Sequence, residues 1–163
     1  MHRPPPAESL AARVRRARAG GRFGGAIVNA PCRGSVEALE RVYRRFGGLQ
    51  TGQVFSQQLR LRLGPGAESS LMARVAAGRM FGWTWQDDFW VPLFQVDRDS
   101  LAVRPASRRV LAELGGVFDG WALAQWFAQP SSWLRGCRPV ELLATRPAAV
   151  LLAARGDRVI AGG

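Results

Sequence analysis

The stretch Asp119-Gly120-Trp121-Ala122-Leu123-Ala124-Gln125-Trp126-Phe127, followed by Pro130, has the grammar of a capped helix. Asp119 is the N-cap, and its carboxylate can accept from the first free backbone N–H groups. The helix spans Gly120–Phe127 and buries Trp121, Leu123, Ala124 and either Phe127 or Trp126. Pro130 stops it, because proline lacks the donor and clashes with the preceding turn. Beyond the turn, Gln129-Pro130-Ser131-Ser132-Trp133-Leu134-Arg135-Gly136-Cys137-Arg138-Pro139-Val140-Glu141-Leu142-Leu143 leads into a short helix at Pro139–Leu143. Pro147 starts another through Ala154, ending near Gly156.

Reading toward the N-terminus, Pro105 opens a helix with Val110, Leu111 and Leu114 inward. Before it, Met80–Trp85 and Phe89–Val96 read as an aromatic β-hairpin turning at Gln86-Asp87-Asp88. Three helices precede the hairpin. Ser35 caps the first, whose apolar positions are Val36, Leu39, Tyr43 and Phe46, with Glu37–Arg41 and Glu40–Arg44 as i,i+4 pairs. The second runs from about Thr51 to Arg62 with Val54, Phe55, Leu59 and Leu61 inward. After the Gly64-Pro65-Gly66 break, the third runs from about Glu68 to Arg79 with Leu71, Met72, Val75 and Ala76 inward. Short helices with glycine-bearing turns suit a helix-turn-helix. Residues 1–34 read as a flexible basic arm, interrupted by Pro4–Pro6 and by the glycines of Gly20–Gly25, with a short basic helix possible over Glu8–Ala19. The expectation is a mainly α chain in three parts. These are the arm at 1–34, a helix-turn-helix-like region at 35–79, and an aromatic hairpin with a small helical domain at 80–163.

The 163 residues suffice to bury a core, and 47% are apolar. The net charge is +11, and all 23 basic residues are Arg. Residues 1–62 hold 12 Arg against Glu8, Glu37 and Glu40, a net of +9, whereas residues 63–163 hold 11 Arg against nine acids, a net of +2. A codon bias toward Arg is one reading of the missing Lys, but it does not explain an excess at one end. The front of the chain therefore expects an anionic partner.

Catalytic chemistry finds few groups. The sole His is His2, so Ser131 and Ser132 lack a base. Cys32 and Cys137 form neither a zinc cluster nor a disulfide framework. Asp87, Asp88, Asp97 and Asp99 are turn residues. We expect no enzyme, no cofactor and no metal site. No apolar run reaches membrane-spanning length and no secretory signal is visible, so the expected location is the cytoplasm.

Three blocks together resemble the Xre/MbcA/ParS antitoxin family and its C-terminal toxin-binding domain. They are Val91-Pro92-Leu93-Phe94-Gln95-Val96, the Asp119–Phe127 block and the Gln129–Leu143 block. The match covers about residues 80–155. Ser131 or Ser132 stands where the family commonly has Asn, and Glu141 where Asp is usual, so turn and cap are expected to survive. The resemblance implies an antitoxin of a type II pair. Its cognate partner is a RES-domain toxin, which consumes NAD. The antitoxin binds the toxin through the C-terminal domain, and its helix-turn-helix binds the promoter, usually as a homodimer. A stand-alone DNA-binding regulator that keeps the domain for dimerisation is the alternative.

The candidate toxin contacts are Trp133, Arg135, Arg138, Arg158 and Ile160. Arg138 could instead cap the carbonyls of the preceding helix. The tail Arg155–Gly163 is either a frayed terminus or, on the family analogy, a plug for the NAD cleft. For DNA, Ser69, Ser70, Arg74 and Arg79 lie on the candidate recognition helix, where a solvated face is the other reading. Arg41, Arg44 and Arg45 would meet phosphates, and Arg13, Arg15, Arg16 and Arg18 would extend along the backbone or into a minor groove.

Overall fold

A computed structural model describes residues 9–19 and 31–163. Helix α1 spans Leu10–Ala19 and α2 spans Arg33–Tyr43. Strand β1 (Leu49–Thr51) leads directly into α3 (Gly52–Leu63), and α4 spans Ser70–Ala76. Strands β2 (Trp83–Trp85) and β3 (Asp88–Pro92) follow. The chain then continues through α5 (Pro105–Leu114), α6 (Gly120–Ala128), α7 (Pro139–Leu142) and α8 (Pro147–Gly162). The fold is mainly α with one small antiparallel sheet of order β1-β3-β2. No described helix is long and apolar enough to cross a membrane.

Several local readings hold. Asp119 Oδ1 accepts from Ala122 N–H at 2.8 Å and caps α6. Pro105 stands in the first turn of α5, and Val110, Leu111 and Leu114 are buried beneath it. The second expected helix starts and ends within a residue of its expected bounds, as α3, and Thr51 proves to be its N-cap through Val54 N–H.

Others are corrected. Helix α2 begins two residues before Ser35, with Cys32 as its N-cap; Ser35 Oγ accepts from Cys32 N–H at 2.9 Å and closes a capping box. Glu37 pairs backward with Arg33 at 3.3 Å, and neither Glu37–Arg41 nor Glu40–Arg44 is an ion pair. The arm is structured where it is described: α1 docks Leu10 and Ala11 into the core against α6 and α8. Gly20–Gly25 lie outside the described residues.

The third helix is shorter than its periodicity implies. A 3-10 turn occupies Ala67–Ser69, and Gly78 at φ +66 ends α4, its neighbour Arg79 returning its N–H to Arg74 O. Met72 and Ala76 are exposed, and only Leu71 is fully inward. On α3, Val54 and Leu61 point outward, Leu61 with 85% of its surface exposed. The apolar sequence positions there exceed what one narrow buried face can hold.

The hairpin turns on Gln86 and Asp87, both left-handed (φ 50 and 65), so Asp88 already pairs with Trp85. That two-residue geometry matches the twist of the strands. Strand β3 stops at Pro92 rather than Val96, because Gln95 is buried and takes over the bonding. Its amide accepts from Phe81 N–H at 2.8 Å and donates to Phe81 O at 2.9 Å and to Pro92 O at 3.0 Å. The first strand is correspondingly short. Strand β1, unforeseen, extends the sheet on the other side, Leu49 facing Pro92 in register.

The buried residues form two clusters. Tyr43, Phe81, Trp83, Phe94 and the inner faces of α5, α6 and α8 make the larger. Phe55, Leu59, Leu71, Met80, Val91, Val96 and Leu101 make the smaller. Helix α2 belongs to the first and α3 and α4 to the second, so the stretch 35–79 is divided between them. Tyr43 ties α2 to α6 by donating its hydroxyl to Ala124 O. Burial raises its ionisation well above the usual phenol range.

Candidate protein-binding site

Helix α8 continues six residues beyond Gly156, and that extension creates the site. An interior glycine costs about 1 kcal/mol against alanine. Here the missing side chain makes room for an indole: a Cβ on Gly156 would stand 2.7 Å from Trp133 Cζ2. Trp133 lies in the 3-10 turn Ser132–Leu134, between α6 and α7. Its ring rests on α8 and its N–H donates to Asp157 Oδ1 at 3.0 Å. The other carboxylate oxygen, Oδ2, accepts from Trp126 Nε1–H of α6 at 2.7 Å. One buried carboxylate thus holds two indoles from two elements.

The loop that carries Trp133 is fixed at both ends. Arg138 Nε donates to Ala128 O at 3.0 Å, capping the last turn of α6. Glu141 accepts from Arg138 N–H at 2.8 Å and pairs with its guanidinium at 3.3 Å. Arg135 ends the turn in a left-handed conformation (φ 55) and is exposed.

Although its N–H is bonded, Trp133 leaves 55% of its surface exposed. At 100° per residue, Leu152, Gly156 and Val159 share the outward face of α8. Leu152 is 64% exposed and Val159 is 68% exposed. A helix face turned to water would ordinarily carry charge. Here an exposed, hydrogen-bonded tryptophan and two aliphatic side chains occupy it, an apolar patch on the surface. To one side, Glu113 of α5 accepts from Arg155 Nε at 2.9 Å and pairs with Arg158 Nη1 at 3.0 Å. These contacts, the hydrogen bond from Arg155 first, lower the Glu113 pKa below its usual value.

Of the expected toxin contacts, Trp133 and Arg135 are at the surface. Arg138 performs the capping role. Arg158 is ion-paired, and Ile160 is half-buried against the core. The tail is not frayed but forms the last turns of α8. The sequence places Val159 only in a tail after Gly156 and gives Leu152 and Asp157 no role, whereas α8 runs on to Gly162 and sets Leu152 and Val159 on one face with Gly156. The lone acid within an otherwise apolar and basic segment was the available signal.

The four residues expected on the recognition helix are divided among a 3-10 turn that holds Ser69, α4 with Ser70 and Arg74, and the turn after it with Arg79. Ser69 Oγ donates to Gly66 O, and the Ser70 hydroxyl is buried. Arg74 turns back to donate to Leu101 O at 2.6 Å, and burial lowers its pKa. Arg79, Arg41, Arg44 and Arg45 are exposed, as is Arg15, while Arg13 is half-buried. The side chains of Arg16 and Arg18 lie outside the described residues. Comparison with known protein families, curated proteins and solved structures found no match to this chain.

Proposed function

We propose that this chain is an antitoxin that neutralises a RES-type, NAD-consuming toxin by direct binding, with Trp133, Leu152 and Val159 as the anchors. The observation that supports this reading is the meeting of separated sequence blocks in one module. Phe94 of the first block packs on Phe127 of the second at a centroid distance of 4.7 Å. Trp126 of the second and Trp133 of the third share Asp157. The three blocks that carry the family resemblance are therefore one packed unit, and its exposed tryptophan is held ready for a partner. Pre-fixing an aromatic side chain removes part of the ordering cost of association.

The test is co-expression with the RES-domain product of a neighbouring gene. The two proteins should co-purify, and NAD levels should stay normal. Trp133→Ala should abolish co-purification and let NAD fall, since loss of a central aromatic anchor costs about 2 kcal/mol or more of binding. Full protection by the Trp133→Ala protein would remove the anchor role. Failure of the parent chain to bind or protect would remove the antitoxin reading.

A further inference from the structure

The helices of this chain differ in what they show to water. Helix α2 turns out Glu37, Glu40 and Arg41, and α5 turns out Arg108 and Arg109, as water-facing helices ordinarily do. Helix α3 does not. Its inner face is fixed by Phe55 and Leu59, both fully buried in the smaller cluster. At about 100° per residue, the opposite side carries Val54, Gln57 and Leu61. All three are exposed and none is charged. Single apolar residues scattered over a surface are ordinary. These stand in one line, at steps of three and four residues, which is the spacing of a seam between two paired helices.

One cation flanks that seam. Arg60, just before Leu61, is exposed and enters no ion pair among the described residues. The arginines that reach the Val96–Leu101 turn are occupied. Arg62 donates from Nη1 to Arg98 O at 2.7 Å and to Asp99 O at 3.0 Å. Arg74 donates to Leu101 O, and Arg104 donates from Nε to Val96 O at 3.0 Å. In paired helices the residues beside the seam choose the partner through opposite charge. Arg60 therefore selects a carboxylate. Helix α3 itself contains no Asp or Glu, so a second copy of this helix would leave Arg60 unmatched.

We propose that Val54, Gln57 and Leu61 of α3, with Arg60 beside them, dock an acidic amphipathic helix of a partner protein. The partner's apolar side chains recur at the same steps, a polar side chain meets Gln57, and an Asp or Glu meets Arg60. Because Phe55 and Leu59 already hold α3 in place, the seam exists before the partner arrives, which lowers the ordering cost of association. The proposal rests on α3 and the smaller cluster, and it stands apart from the antitoxin reading, whose anchors lie on α8 and the Trp133 turn.

The experiment is fluorescence anisotropy of the full chain with a labelled synthetic helix about three heptads long. It carries Leu and one central Gln along its seam and Glu on both flanks, and the glutamates keep it from pairing with itself. A matched helix with Lys on both flanks should bind about tenfold more weakly. Leu61→Gln, which leaves the charge unchanged, should weaken binding of the Glu helix about tenfold. Arg60→Glu should weaken it about fivefold, whereas Arg146→Glu, the same charge change at an exposed position before α8, should change it less than about twofold. If Leu61→Gln melts early, Val54→Gln carries the comparison, with about a threefold loss expected. Equal binding of the Glu and Lys helices, no loss in Leu61→Gln, or an equal loss in Arg60→Glu and Arg146→Glu would overturn the proposal. So would sedimentation showing that Leu61→Gln splits a dimer of the parent chain, because the seam would then belong to a second copy.

Discussion

Trp133 donates its indole N–H to the same carboxylate, Asp157, that accepts from Trp126. The exposed tryptophan is thereby locked to the core of the C-terminal module. Replacing Asp157 by Ala strands the buried Trp126 donor, whereas the Trp133 donor can reach water. The expected loss is about 2–4 kcal/mol of unfolding free energy, read from urea denaturation. Asp157→Asn should lose less, because an amide oxygen can serve one indole while its NH2 opposes the other. An unchanged urea midpoint in Asp157→Ala would show that the shared carboxylate does not hold the module.

Gly156→Ala sets two effects against each other. Alanine favours the helix by about 1 kcal/mol. Its Cβ, however, would press on the Trp133 ring at 2.7 Å and 2.8 Å. The ring cannot retreat without stretching its bond to Asp157. The steric effect should win at this face: α8 stays helical by circular dichroism, but Trp133 is displaced and toxin binding is lost. Undiminished binding together with a higher melting temperature would show that helix propensity wins instead.

Much of this module is legible from residue types alone. Asp119 before an apolar run, Pro105 at a helix start and Pro130 after a helix each act through local backbone chemistry, and each acts in the structure as read. What escapes is decided by distant groups. Gly156 looks like a stop signal until Trp133, more than twenty residues away, is seen to fill its place. Gln95 looks like part of a strand until its amide is found bonded to Phe81. Val54 and Leu61 look inward by periodicity, yet both are exposed among the described residues. The Arg62, Arg74 and Arg104 contacts to one turn join four segments, and no spacing rule reports that.

Helix α6 meets the hairpin through two glycines. A Cβ on Gly120 would stand 1.8 Å from Gly82 O, an approach that the backbone cannot relieve by rotating a side chain. Gly120→Ala should therefore separate the first turn of α6 from the hairpin and disturb the T-shaped contact of Trp83 with Trp121. The expected cost exceeds about 3 kcal/mol, within the range of severe core overpacking. Soluble expression and thermal melting check it. A melting temperature within about 2 °C of the parent, for a domain of this size a change below roughly 1 kcal/mol, would contradict the close approach.

Acid should weaken the junction between α5 and α8. The Glu113 carboxyl is held below its usual pKa by the Arg155 hydrogen bond and by the charges of Arg158 and Arg155. A carboxylate favoured in the folded state stabilises it fully above the unfolded value, near about 4.3 for Glu. That contribution is lost as pH falls through the lower folded value. Asp97 behaves in the same sense, its pKa lowered first by Ser100 N–H, so the whole chain should lose stability in this window. Glu113→Gln isolates the junction. Its urea midpoint should fall less than the parent's between about pH 5 and pH 3, with the two curves converging at the acid end. Because Arg155 and Arg158 flank the Leu152–Val159 face, releasing them also changes the charge beside the proposed toxin contact. Parallel curves for parent and Glu113→Gln across the whole range would mean that these arginines contribute no folding energy through Glu113.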